Sequence, residues 1–180
     1  MDQRPARDWP RTVFDTLKAH EVRHAAYVPD AGLTQIIDLC AADRAMESVL
    51  LTTEEEGVAL LAGSWLGGQR GVLMMQSSGV GNCLNMFSLT RVCRFPLLVL
   101  VTMRGEPGEF NPWQAPMGRM AGEVLRLAGA VVFRVEDAGD AGAAVAAAAR
   151  TAFEGPAMAA VLFAQNLVGA KSFDEQTHDG

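Results

Sequence analysis

Three consecutive glutamates, Glu54, Glu55 and Glu56 in "TTEEEGVALLAG", stand where a helix begins after an apolar run. A carboxyl group at such a point can carry a proton, cap backbone N–H groups, or simply remain in water. Thr53 and Glu56 have the Thr-x-x-Glu spacing of a capping box, which gives Glu56 a structural task. Glu54 is expected to be solvated. Glu55 lies one turn ahead of the apolar stripe Val58, Leu61, Ala62 and Trp65. It is placed to point into a ligand region at the carboxyl end of the preceding strand.

A second stretch, "QSSGVGN" at residues 76–82, lies between two apolar runs and looks like a loop that approaches another molecule. A P-loop would need a Gly-Lys pair, and the chain has none. A dinucleotide fingerprint would need a third glycine where Leu84 stands, so that reading is weak as well. Gly79 and Gly81 still permit a tight turn and a close backbone approach, and Ser78 or Asn82 is suited to cap the helix that follows. Farther on, Arg104 and Arg119 flank a Gly/Pro-rich loop. Guanidinium geometry suits a sulfonate, phosphonate or carboxylate bidentately, although Arg104 can equally brace its loop and Arg119 can be a solvated helix residue.

The elements that must position these residues read as strands alternating with helices, without a long linker or a composition break. Strand-like "VRHAAYV", "MESVLLT", "GVLMMQ", "PLLVLVT", "AVVFRV" and "PAMAAVLFA" are separated by segments of helical period. The chain therefore reads as α/β, with a six-stranded parallel sheet flanked by helices. A helix is expected in "DWPRTVFDTLKAH" with Val13, Phe14 and Leu17 on one face, and a single helix in "GNCLNMFSLTRVCRF". In such sheets ligands sit outside the carboxyl ends of the strands, so the loops after Val28, Leu51, Gln76 and Thr102 are the places to look. Residues 1–170 read as one domain and the polar residues 171–180 as a tail expected to fray.

The 180 residues carry 49% apolar residues and a formal charge of −6, enough for one sizeable core and without the basic stripe that nucleic acid would require. The first residues lack the pattern of a signal peptide, and the alanine-rich run near residue 145 suits a packed helix better than a membrane span, so a cytoplasmic protein is expected. Cys40, Cys83 and Cys93 lack paired spacing and read as small buried hydrophobes. Together with His20, His24 and His178 they complete no metal-ligand pattern, so no metal site is expected in this chain.

"EEGVALLAGSWLGG", "QSSGVGNCLNMFSL", "RGEPG" and "VPD" at residues 28–30 together resemble the pyrimidine-binding domain of thiamine-diphosphate-dependent 2-oxoacid decarboxylases. The sulfopyruvate and phosphonopyruvate branches are the most similar, over about Val13 to Val161. The resemblance implies the thiamine-diphosphate-binding fold and gives Glu55 the role of the glutamate that hydrogen-bonds N1′ of the cofactor's aminopyrimidine. It places Ser78, Gly79, Val80, Gly81 and Asn82 beside the pyrimidine, and Asp30, Arg104 and Gln114 on the substrate side. Asp30 reads equally well as a turn residue after proline. The family's Gly-Asp-Gly motif for the diphosphate and Mg²⁺ is missing here. The resemblance thus implies a second, β-type subunit that carries those groups, in a homodimer or hetero-oligomer acting on a small anionic 2-oxoacid. Phosphonopyruvate decarboxylases have a histidine directly after the glutamine matched by Gln114, whereas Ala115 follows it here. A non-catalytic binding or regulatory subunit of the same fold is the alternative.

Overall fold

The apolar runs become β1 (Val22–Tyr27), β2 (Glu47–Leu50), β3 (Arg70–Gln76), β4 (Leu97–Thr102), β5 (Val131–Val135) and β6 (Met158–Phe163). All pair in parallel in one sheet of order β2-β1-β3-β4-β6-β5. The computed structural model describes residues 8–168, so the tail expected at 171–180 lies outside the described residues. The helices are α1 (Trp9–Ala19), α2 (Thr34–Ala42), α3 (Glu54–Leu66), α4 (Ser77–Cys83), α5 (Ser88–Val92), α6 (Ala115–Leu127), α7 (Ala141–Glu154) and α8 (Gln165–Val168). Among the described residues no helix is long and apolar enough to cross a membrane.

β4 and β6 are buried along their whole lengths because helices cover both faces of the sheet, which is why both read as unbroken apolar runs. Successive residues along each strand feed two cores. Ala25, Val72, Met74, Leu98, Leu100 and Val161 share one with α1, α2 and α7. Ala26, Leu73, Met75, Val99, Val101 and Leu162 share the other with α3, α4 and α6. The α1 start follows its sequence: the Asp8 carboxylate accepts the Arg11 N–H at 3.2 Å, Pro10 sits in the first turn, and Val13, Phe14 and Leu17 are buried. Alanines 148, 149 and 152 are buried in α7, and their small side chains let the helix lie close to the sheet.

The single helix expected after Gly81 is instead two. α4 ends at Cys83 and α5 starts only at Ser88. Leu84 and Asn85 at the break are exposed while Cys83 and Phe87 are buried, so the chain changes direction to keep both apolar anchors inside.

The strand order reverses at β1, with β2 on one side of it and β3 on the other, so α2 and α3 lie on opposite faces. This opens a crevice at the carboxyl ends of the strands. The segments after β1, β2, β3 and β4 meet there. The loop after β4 is pressed onto α6, because a Cβ at Gly118 would collide with the backbone oxygen of Arg104. Gly118→Ala should therefore destabilise the fold by about 1–3 kcal/mol through overpacking. Gly63→Ala, where a Cβ meets nothing within 4 Å, should stabilise α3 by about 0.5–1 kcal/mol. Urea denaturation of the two variants measures both, and equal effects would mean that the close approach at Gly118 does not govern the loop.

Candidate functional site

The glutamate cluster divides its tasks differently from the sequence expectation. Glu54 is buried, 6% exposed, and is not solvated. Its Oε2 accepts a hydrogen bond from Asn82 Nδ2 at 2.7 Å. Gly79 lies directly against it, and a Cβ there would stand 2.5 Å from Oε1. The glycine is thus required by the passage of a carboxylate over α4. Glu56 does not form the expected box with Thr53. Its Oε2 accepts the N–H of Thr52 at 2.9 Å, and the Thr53 side chain makes no cap bond. Glu55 is exposed and, among the described residues, makes no hydrogen bond or ion pair.

"QSSGVGN" is helix, not loop. β3 ends at Gln76 and α4 begins at Ser77, with neither Ser78 nor Asn82 acting as its cap. Asn82 lies in the last turn, where it reaches Glu54. Val80 is fully buried in the core, Ser78 is half-buried, and Gly81 and Asn82 are exposed. Gly81 lets α4 approach α6, since a Cβ there would stand 3.2 Å from Met117 Sδ. Of the five residues expected beside a ligand, Ser78, Gly81 and Asn82 are on the accessible side, while Gly79 and Val80 work from beneath.

The substrate-side residues gather at the ends of β1, β3 and β4. Asp30 Oδ2 accepts from Thr102 Oγ1 at 2.6 Å and from the Gly32 N–H at 3.1 Å. Its backbone oxygen accepts from the Leu33 N–H and from Thr34 Oγ1. Asp30 therefore forms the turn and also ties it to β4. Arg104 is not an open fork. Its Nε and Nη2 donate to Glu109 at 2.8 and 2.6 Å, leaving Nη1, which faces Gln76 Oε1 at 3.4 Å. Gln114 Nε2 reaches the same oxygen at 3.4 Å. Ser77 Oγ accepts the Arg104 N–H at 3.1 Å, which locks the start of the loop to α4.

Glu109, Glu106 and Gln165 complete this network and were not anticipated. Gln165 Nε2 donates to Glu109, while Gln165 Oε1 and its N–H pair with the Glu106 N–H and carboxylate. Glu106 also accepts from Arg134 Nη2 at 2.5 Å. An acid five residues after an arginine, in a loop with Gly105 and Gly108, which take positive φ, is the signal that could have pointed to a return contact.

Arg119 is not brought to the site. It is exposed on α6, where it lines a groove with Glu106, Arg126 and Arg134. Cys40 and Cys83 are buried as expected, and burial pushes both thiols up to about 12, with Asp43 adding to the effect at Cys40 and Glu54 and Glu55 at Cys83. Cys93 is exposed, contrary to expectation. Among the described residues no group of three or more His, Cys, Asp or Glu is arranged to hold a metal ion.

A parallel sheet with a crevice at its switch point and a buried polar frame beside it is the geometry of a ligand-binding α/β domain. The family model described as thiamine pyrophosphate enzyme, N-terminal TPP binding domain, matches residues 9–113, and the chain belongs to that family. It is 36% identical over 121 residues to the sulfopyruvate decarboxylase subunit alpha of Methanothermobacter thermautotrophicus, covering 67% of this chain and 73% of that one. It is 42% identical over 108 residues to the phosphonopyruvate decarboxylase of Streptomyces hygroscopicus, covering 59% of this chain but only 27% of that one. Among solved structures, a 2-oxoglutarate:ferredoxin oxidoreductase from Magnetococcus marinus superposes with a TM-score of 0.71 over 89% of this chain and 29% of that one. At 15% identity, that likeness shows the fold alone.

Hydrogen bonds from Arg104, aided by the N–H groups of Gly105 and Asn111, hold the Glu109 carboxyl down from 4.5 to about 2 against the opposing effect of burial. A carboxylate depressed in the folded state stabilises fully above its ordinary range, and the contribution is lost as pH falls through the folded value. Stability should therefore fall between about pH 4.5 and 2 as this carboxylate takes up its proton. In Glu109→Gln that part of the acid dependence should be missing, the variant being less stable near neutrality. Melting temperatures across this range check it, and parallel curves for the two proteins would refute it.

Proposed function

We propose that this chain is the α-type subunit of a thiamine-diphosphate-dependent decarboxylase acting on an anionic 2-oxoacid such as sulfopyruvate, releasing CO₂ and leaving the corresponding aldehyde. The observation that carries the reading is Glu55: a carboxylate at the carboxyl end of the sheet, on a helix start fixed by its buried neighbour, exposed and without a partner among the described residues. The residues fit the pyrimidine side of the cofactor. The cradle formed by Gly79 under Glu54 keeps α3 and α4 together and turns Glu55 outward, with Ser78, Gly81 and Asn82 on the accessible surface beside it.

When bound, thiamine diphosphate supplies the electron sink that loss of CO₂ from a 2-oxoacid requires. Glu55 would hold the proton at N1′ of the aminopyrimidine, and enclosure by a second chain would favour the neutral carboxylic acid through desolvation. Asp30 and Gln114 would line the substrate side. Arg104 would meet the substrate's distal anion end-on through Nη1, because its other edge is taken by Glu109. The diphosphate and Mg²⁺ are assigned to a β-type partner in a hetero-oligomer, a reading supported by the word "subunit" in the names of the archaeal relatives. Cytoplasmic localisation belongs to the same reading. The similarity to phosphonopyruvate decarboxylase favours a second reading, a subunit acting on phosphonopyruvate, but Ala115 leaves that chemistry without the imidazole its relatives carry.

The isolated chain should bind thiamine diphosphate with Mg²⁺ weakly by calorimetry, and micromolar or tighter binding would overturn the division between two chains. In the reconstituted complex, Glu55→Gln should leave assembly intact and slow hydrogen–deuterium exchange at the cofactor C2 by about 10²- to 10⁴-fold, the usual scale of a general acid–base contribution. Exchange as fast as in the wild type would remove Glu55 from the proposed role.

A further inference from the structure

The polar frame contains one side chain whose position cannot be explained by the loop alone. Glu109 accepts from five donors: Arg104 Nε and Nη2, the Gly105 N–H at 3.0 Å, the Asn111 N–H at 2.8 Å and Gln165 Nε2 at 3.0 Å. Its side chain is 6% exposed and that of Arg104 is 12% exposed. The two backbone donors would be enough to close the turn. The parallel pair of bonds to the guanidinium does something further: it fixes the plane of a long side chain that would otherwise sample many rotamers.

We infer that Glu109 is a positioning residue for substrate selection. It occupies one edge of Arg104 so that Nη1 alone is presented, beside the amides of Gln76 and Gln114, to the distal anion of the substrate. The contacts at Gln76 Oε1 are both 3.4 Å, long enough for a ligand oxygen to replace them, whereas the bonds to Glu109 are 2.6 and 2.8 Å. A ligand would therefore exchange with the glutamines and leave the Arg104–Glu109 pair intact. The same pair cancels most of the arginine's charge, so selection would depend on the direction of one N–H edge and less on net attraction. The inference rests on the proposed contact of Arg104 with the substrate.

Steady-state kinetics of the reconstituted two-subunit complex test it, with sulfopyruvate compared with pyruvate, whose far end is a methyl. Glutamine at position 109 would turn an amide N–H₂ toward groups that are all donors, so the guanidinium loses its guide. Glu109→Gln should raise KM for sulfopyruvate about tenfold or more relative to pyruvate, the scale of one charge-assisted contact, with C2 exchange unchanged. Because the effect passes through Arg104, adding Glu109→Gln to Arg104→Ala should change that ratio by less than about twofold. Equal losses on both substrates, or single effects that multiply in the double variant, would overturn the inference. If Arg104→Ala itself fails to discriminate the substrates, the reading of Arg104 falls and takes this inference with it. A selective Arg104→Ala beside a non-selective Glu109→Gln defeats the positioning role alone. Should Glu109→Gln fail to assemble, Glu109→Asp keeps the charge but shortens its reach. It should show the same selective loss, and uniform loss would again refute the role.

Discussion

The site depends on a buried acid, Glu54. Glu54 crosses from the start of α3 over the backbone of Gly79 and is held there by Asn82, joining the segment after β2 to the segment after β3 across the crevice above β1. A buried carboxylate is costly unless its oxygens are engaged. That cost favours this placement of α3 against α4, since another would take the Asn82 amide away from the buried acid. With Glu54 held inward, the next residue on the helix turns about 100° away. Glu55 is therefore outward because Glu54 is inward.

A second frame fixes the opposite side of the crevice. Glu106 and Glu109 both fold back from the loop after β4, one to Arg134 and Gln165, the other to Arg104 and Gln165. Two glycines at positive φ let so short a loop return on itself. Polar networks of this kind rigidify when every member is satisfied. Glu106 and Glu109 balance Arg134 and Arg104, so this chain brings little net positive charge to a site proposed for a substrate with two anionic groups. On the proposed division between two chains, further cationic groups would come from the partner.

The sheet was legible because its determinants are local. Periods of two and of 3.6 in apolar residues identify strands and helices, and β4 and β6 are so thoroughly buried that their runs are unbroken. Glu55 is proposed for the cofactor on the resemblance of its surroundings, and the structure leaves it exposed at the start of α3. The errors concern contacts between segments distant in sequence. Glu54 read as solvated because nothing in "TTEEEG" announces an asparagine 28 residues on, and Glu56 read as half of a capping box although it reaches one residue farther back, to Thr52. "QSSGVGN" read as a loop because glycines usually mark loops, whereas here they mark two close approaches, under Glu54 and against Met117. Bracing was one of two readings of Arg104, but its partner Glu109 was not named, because it lies in a glycine-rich stretch with no regular period. Burial and pairing of polar groups are decided by tertiary packing, and sequence patterns carry that only weakly.

The exposure of Glu55 suits its proposed role as a proton carrier shared between two chains. In the isolated chain Glu55 stands in solvent. Covering it with an apolar partner and an aromatic ring would remove that solvation and favour the protonated form, the form able to donate to a ring nitrogen. On this proposal the activating step would be silent until the second chain arrives. Glu54, Glu56, Glu106 and Glu109 all accept hydrogen bonds within the chain, whereas Glu55 has no such partner among the described residues.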